Sequence, residues 1–158
     1  MSLKILQSEY KQYLKEPNYF YSIKPNIKNF YIWDVLLIGP PDTPFEGGIF
    51  ECIFEFPQNY PMKPPSFKFI TSFPHPNVYN DGKMCISILH DGIDEFGYEN
   101  ISERWSSSQN VNSILMSILS IISEPNFESP ANVDAAQLWK KDYSSYKNMI
   151  YKIIAKSH

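Results

Sequence analysis

Cysteine is scarce in this chain: Cys52 and Cys85 are the two among 158 residues. Two thiols could pair, but the sequence shows no secretory signal, which favours reduced thiols. With three histidines and two cysteines the chain forms neither a CxxC pair nor an HxxxH helix pair, so metal ligation fits poorly and no cofactor is expected. Long apolar runs are missing as well. The longest, Ile114 to Ile122, is broken by Ser117 and Ser120 and falls far short of the roughly 20 residues that cross a bilayer. The N-terminal MSLKILQSEYKQ carries charge where a signal peptide needs its apolar region. A soluble intracellular protein without direct membrane insertion is expected. Basic charge is not in excess either. The net charge of -3 and the lack of a compact basic patch argue against nucleic-acid binding.

What is present reads as one α+β domain spanning residues 1–158. Leu3, Leu6, Tyr10, Tyr13 and Leu14 recur at helical spacing, with Ser2 placed to cap and Pro17 placed to stop, which predicts a helix over 2–16. Strand-like runs follow at Phe30–Ile38, Ile49–Phe56 and Ser66–Thr71, with a weaker one at Tyr21–Lys24. Short connections between them predict an antiparallel meander. Six prolines between Pro57 and Pro76 exclude long helices there, and residues 72–104 look mostly irregular. Val111, Ile114, Leu115, Ile118, Leu119 and Ile122 predict a central helix over about 110–123 packed on the sheet, and two further helices are expected near 132–141 and 143–156.

The two thiols differ in setting. Cys52 shares a strand face with Phe50, Phe54 and Phe56, which predicts a small core side chain. Cys85 follows the turn signal Asn80-Asp81-Gly82 inside the irregular region, where partial exposure and reactivity are plausible. His75 or His90 could be nominated as a base for a hydrolase-like pair, yet neither stands in a local protease signature, and His75, followed by Pro76, reads as a turn pin.

The string HPNVYNDGKMCISIL, residues 75–89, resembles the signature of ubiquitin-conjugating enzymes: His-Pro-Asn, then a cysteine eight residues after the asparagine. The likeness extends to GPPDTPFEGGIFECIFEFPQNYPMKPPSFKF (39–69), to Trp105, and to SILMSILSIISEPN (113–126). It implies the ubiquitin-conjugating (UBC) fold: an N-terminal helix, a four-stranded antiparallel meander, a central helix and two C-terminal helices. It also implies that Cys85 accepts ubiquitin from the activating enzyme as a thioester and passes it to a lysine, with Asn77 stabilising the oxyanion. His75 and Pro76 would then scaffold that loop. Because the thioester arrives activated, no strong base is expected beside Cys85. Conjugation of another ubiquitin-like modifier, or a non-catalytic module of the same fold, are the alternatives; Cys85 and Asn77 together argue against the latter.

Nineteen residues, 86–104, separate Cys85 from Trp105, more than in compact members of the family. The acidic insertion, about 90–104, resembles the subgroup associated with endoplasmic-reticulum-associated degradation. By that resemblance Asp94 and Glu95 are candidates to orient or deprotonate the incoming lysine, with His90 assisting or closing the loop. Two departures stand out: Ser129 precedes Pro130 where an acidic residue is common, and Ser106-Ser107-Ser108 replaces Ser-Pro-Ala. The partners implied are ubiquitin, its activating enzyme facing Lys4 and Lys11, a RING-type ligase facing Pro61, Met62 and Ser107, and substrate proteins. Localisation is expected to be cytoplasmic, with any recruitment to the endoplasmic reticulum surface made through a partner.

Overall fold

The computed structural model describes residues 1–92 and 104–157. The chain opens with α1, Ser2–Lys15. Ser2 does not cap it. Met1 occupies the N-cap without a side-chain bond, and Ser2 Oγ donates to the Gln58 carbonyl at 2.6 Å while bonding the Tyr31 hydroxyl. A tertiary tie has displaced the local one. Leu6 is fully buried, and Tyr10 and Tyr13 pack against the core. Leu3 and Leu14, expected on the same stripe, are 39% and 58% exposed. They lie roughly 60–80° around the helix from Leu6 at about 100° per residue, at the margin of the buried face.

Four strands follow: β1 (Tyr21–Pro25), β2 (Ile32–Ile38), β3 (Ile49–Glu55) and β4 (Ser66–Phe69). They pair antiparallel in sequence order, as a meander should. β2 starts two residues later than its apolar run suggests. Asn29 Oδ1 takes the Tyr31 amide at 3.0 Å, and the Phe30 carbonyl takes the Trp33 indole at 2.7 Å, so both residues turn rather than pair. β3 and β4 also end short of Phe56 and Thr71, while β1 runs through Pro25.

The register puts Val35 opposite Cys52 and Cys52 opposite Phe69, all on the buried face. Against that face lies α2, Val111–Ser123, whose six predicted apolar residues are all buried. Each such side chain contributes about 1.5–3 kcal/mol on leaving water. Asn110 and Ser113 close a reciprocal capping box at its start. Glu9 adds a second anchor: one carboxylate oxygen accepts the Val111 amide at 2.6 Å, and the other accepts the Tyr60 hydroxyl at 2.7 Å. α1, the proline-rich loop and α2 thus meet on one half-buried carboxylate, whose pKa burial pushes up. Helices α3 (Val133–Lys141) and α4 (Tyr143–Ser157) complete the order, with Tyr146 and Ile150 buried. The arrangement is that of the UBC fold. Among the described residues, no helix is long and apolar enough to cross a membrane.

Candidate active site

Cys85 is placed by a short hairpin laid along the free edge of β4. Phe69 donates its amide to the Gly82 carbonyl, and Met84 donates to the Phe67 carbonyl. Within the hairpin, Cys85 N–H reaches the Asn77 carbonyl at 2.9 Å and Tyr79 N–H reaches the Lys83 carbonyl at 2.9 Å. Gly82 makes the turn possible. Its φ is +97°, and a Cβ there would stand 2.2 Å from the Phe69 carbonyl oxygen. Val78 pairs with Met84 and both point into the core, so alternation sends Tyr79, Lys83 and Cys85 to the other face.

The entry to the hairpin is held from below. His75 is fully buried. Its Nδ1 accepts the Asn77 amide at 3.0 Å, so the proton sits on Nε2 and points to the Ile122 carbonyl at 3.3 Å. Burial lowers its pKa to about 4, against which the carbonyl contacts push weakly, and the ring is neutral. Asn77 is buried too. Its amide makes a two-point clasp with Asn126, donating from Nδ2 to the carbonyl at 2.8 Å and accepting the backbone amide at 2.9 Å. The Pro76 carbonyl accepts from Asn132 N–H at 3.1 Å. The His-Pro-Asn segment is therefore stitched to the end of α2 and the start of α3.

After Cys85 the chain makes one 3₁₀ turn, Ser87–Leu89, which folds His90 back. Its Nε2 lies 3.7 Å from the half-buried Cys85 Sγ. His90, expected to assist at the site or to close the loop, is thus brought beside the thiol: five residues of separation conceal a spatial pair. The two line a cleft of about 350 Å³ together with Pro65, Tyr79, Lys83 and Leu89. Past His90 the chain is clamped. Trp105 N–H bonds the His90 carbonyl at 2.9 Å, the Arg104 guanidinium bonds the Asp91 carbonyl, and Lys63 pairs with the Asp91 carboxylate. That cation holds the Asp91 carboxyl below its usual range. Asp94 and Glu95 lie outside the described residues.

The candidate surface residues are spread elsewhere. Pro61, joined to Tyr60 by a cis peptide, gives its carbonyl to the Trp105 indole at 2.9 Å, and Met62 beside it is 71% exposed. Ser107 is exposed within a turn closed by the Ser106 and Ser108 hydroxyls. Lys4 and Lys11 are exposed on α1. Tyr79 belongs to the sequence neighbourhood of Cys85, and alternation across the Asn80-Asp81-Gly82 turn puts the two on one face. Glu9 left no such signal, because its partners are distant in the chain.

The structure thus places a half-buried thiol 3.7 Å from an imidazole nitrogen, both facing one cleft on the hairpin. A family model described as "Ubiquitin-conjugating enzyme" matches residues 5–154. Among curated relatives, human "Ubiquitin-conjugating enzyme E2 G2" is 46% identical over 158 residues, covering 99% of this chain and 96% of the relative. "Ubiquitin-conjugating enzyme E2 7" of Arabidopsis thaliana is 47% identical over 155 residues, covering 97% and 93%. "Probable ubiquitin-conjugating enzyme E2 7" of Caenorhabditis elegans is 49% identical over 130 residues, covering 82% and 79%. The chain belongs to the ubiquitin-conjugating enzyme family.

Proposed function

We propose that Cys85 accepts ubiquitin from the activating enzyme as a thioester and, with a RING-type ligase, delivers it to lysines of substrates or of ubiquitin itself. The observation that carries this reading is the half-exposed thiol in its cleft with His90 Nε2 at 3.7 Å. A thiol with a pKa of about 8.5 is a few per cent thiolate at neutral pH, enough for exchange with a thioester that is already activated. In the second step a lysine amine attacks the same carbonyl, and negative charge develops on its oxygen. Asn77 is the donor assigned to that charge. Its clasp on Asn126 uses one of the two Nδ2 protons and leaves the other to donate.

Asp94 and Glu95 are assigned to orienting or deprotonating the amine, and His90 to assisting them. Lys4 and Lys11 would face the activating enzyme; Pro61, Met62 and Ser107 would face the ligase. The product in this reading is ubiquitin chains that signal proteasomal degradation. The enzyme works in the cytoplasm and reaches the endoplasmic reticulum surface through a partner. The catalytic domain occupies residues 1–158, with the insertion at about 90–104.

The test is thioester loading with ubiquitin, activating enzyme and ATP, read on gels with and without reductant. A reductant-sensitive band one ubiquitin heavier, lost in Cys85→Ala, is the expected result. No band from folded protein, while a control conjugating enzyme loads in the same mixture, overturns it.

A further inference from the structure

The hairpin sends Lys83 to the same face as Cys85, two residues upstream in extended backbone, and both side chains line one cleft. Alternate residues of a strand stand about 7 Å apart, a gap that the flexible four-carbon stem of a lysine covers. Lys83 is exposed, and among the described residues its ammonium forms no ion pair. Its neighbour on β4 is another exposed cation: Lys83 stands opposite Lys68 in an antiparallel bridge. Like charges set opposite each other destabilise the pair. An amine tethered beside a thioester is a nucleophile within reach of an acyl donor. We propose that Lys83 is a self-modification site, which takes the acyl cargo of Cys85 onto its own Nζ as an isopeptide.

The step is an S-to-N acyl shift within one chain. The Lys83 ammonium first gives a proton to water. Its nitrogen pair then forms a bond to the thioester carbon, and the carbonyl electron pair moves to oxygen. When that pair returns, the carbon–sulfur bond breaks and its electrons leave on Sγ, which takes a proton from water. The nitrogen sheds its second proton to water. The products are an amide on Lys83 and a free thiol on Cys85, with nothing oxidised or reduced. Turning the ammonium into an amide also removes the charge opposed to Lys68. Tethering favours this path over transfer between molecules. A short flexible tether presents its group at a millimolar effective concentration, roughly a thousandfold above enzyme held at about 1 µM. An enzyme loaded without a substrate thus carries its own competing acceptor.

This inference rests on the reading of Cys85 as the thioester carrier, and the experiment separates the two. Wild type is loaded with ubiquitin, freed of activating enzyme, and left without substrate, ligase or added amine. An equal amount of isotope-labelled Cys85→Ala protein is present as a bystander. Conjugate that survives reductant is followed on gels, and its site is read by mass spectrometry of the Lys83 peptide. Lys83→Arg keeps the cation beside the cleft and removes the acceptor amine; Lys68→Arg does the same to its neighbour. The expected result is conjugate on Lys83 of the unlabelled chain, formed at a rate per loaded enzyme that dilution does not change. Lys83→Arg should lower it roughly tenfold, and Lys68→Arg should not. If wild type does not load, the carrier reading fails and this inference with it. If wild type loads, self-modification at Lys83 is overturned by any of three results: no conjugate on Lys83, equal conjugate on the labelled bystander, or an equal loss in Lys68→Arg.

Discussion

The two cysteines invite comparison because the residue is the same and everything around it differs. Cys52 is 2% exposed in β3, paired between Val35 and Phe69, and its thiol donates to the Phe50 carbonyl at 3.6 Å. Burial pushes its pKa well above the ordinary value, and Glu51 adds to the push. Cys85 stands on a hairpin outside the sheet, open to a cleft and beside an imidazole. A thiol becomes chemistry where the backbone lifts it out of the hydrocarbon and supplies polar neighbours. Four substitutions break or sharpen that contrast.

The largest effect belongs to Cys85→Ala, which should abolish loading outright, whereas Cys52→Ala should load at the wild-type rate. Gel assays of both variants side by side check this, and a loaded, labile thioester on Cys85→Ala would reverse the assignment. Asn77→Ala comes next. Losing an oxyanion donor costs about 10²–10³ in rate, and here the clasp on Asn126 is lost as well. Loading should persist while discharge to lysine collapses, with the melting temperature also lowered. Normal discharge would reduce Asn77 to a loop staple.

His75 sharpens the comparison through pH. Its folded pKa of about 4 lies below the ordinary 6.5, so the unfolded chain binds a proton that the folded chain refuses. The stability conferred by the neutral ring is whole above pH 6.5 and drains away as pH falls towards 4, by up to about 3 kcal/mol. Denaturant midpoints of wild type and His75→Gln should therefore converge as pH falls through that window. Parallel curves would show that the ring does not resist protonation. The smallest effect is that of Cys52→Ala on stability, a loss of about 1 kcal/mol for a small void between packed sheet residues. A chemical denaturation curve measures it.

Much of the fold was legible because one rule governed each element. The alternation of Ile49–Glu55 and the 3.6-residue stripe of α2 state which face is buried, and both faces are buried as expected. Strand ends were less legible, since Asn29 and Phe30 settle theirs by turn hydrogen bonds that patterning does not register. Ser2 misled for a related reason: a residue that can cap can also bind Gln58 and Tyr31 across the fold. At the site, Cys85 and the His-Pro-Asn segment were visible as a string, but the division of labour within it was not. His75 acts on Asn77 and Ile122, and Asn77 clasps Asn126, 49 residues away. Nor did spacing show that a 3₁₀ turn returns His90 to the thiol.

The clamp between His90 and Trp105 has a consequence for how such an enzyme changes over evolutionary time. Because the Trp105 amide meets the His90 carbonyl and Arg104 meets the Asp91 carbonyl, whatever is spliced between them enters and leaves at one closed doorway. Doubling the length of a flexible loop raises its closure cost by about 0.6 kcal/mol. Cys85 sits just upstream of that doorway and takes its position from β4, α2 and α3. Lengths and sequences can therefore be tried beside the cleft while the Cys85 sulfur stays where it is.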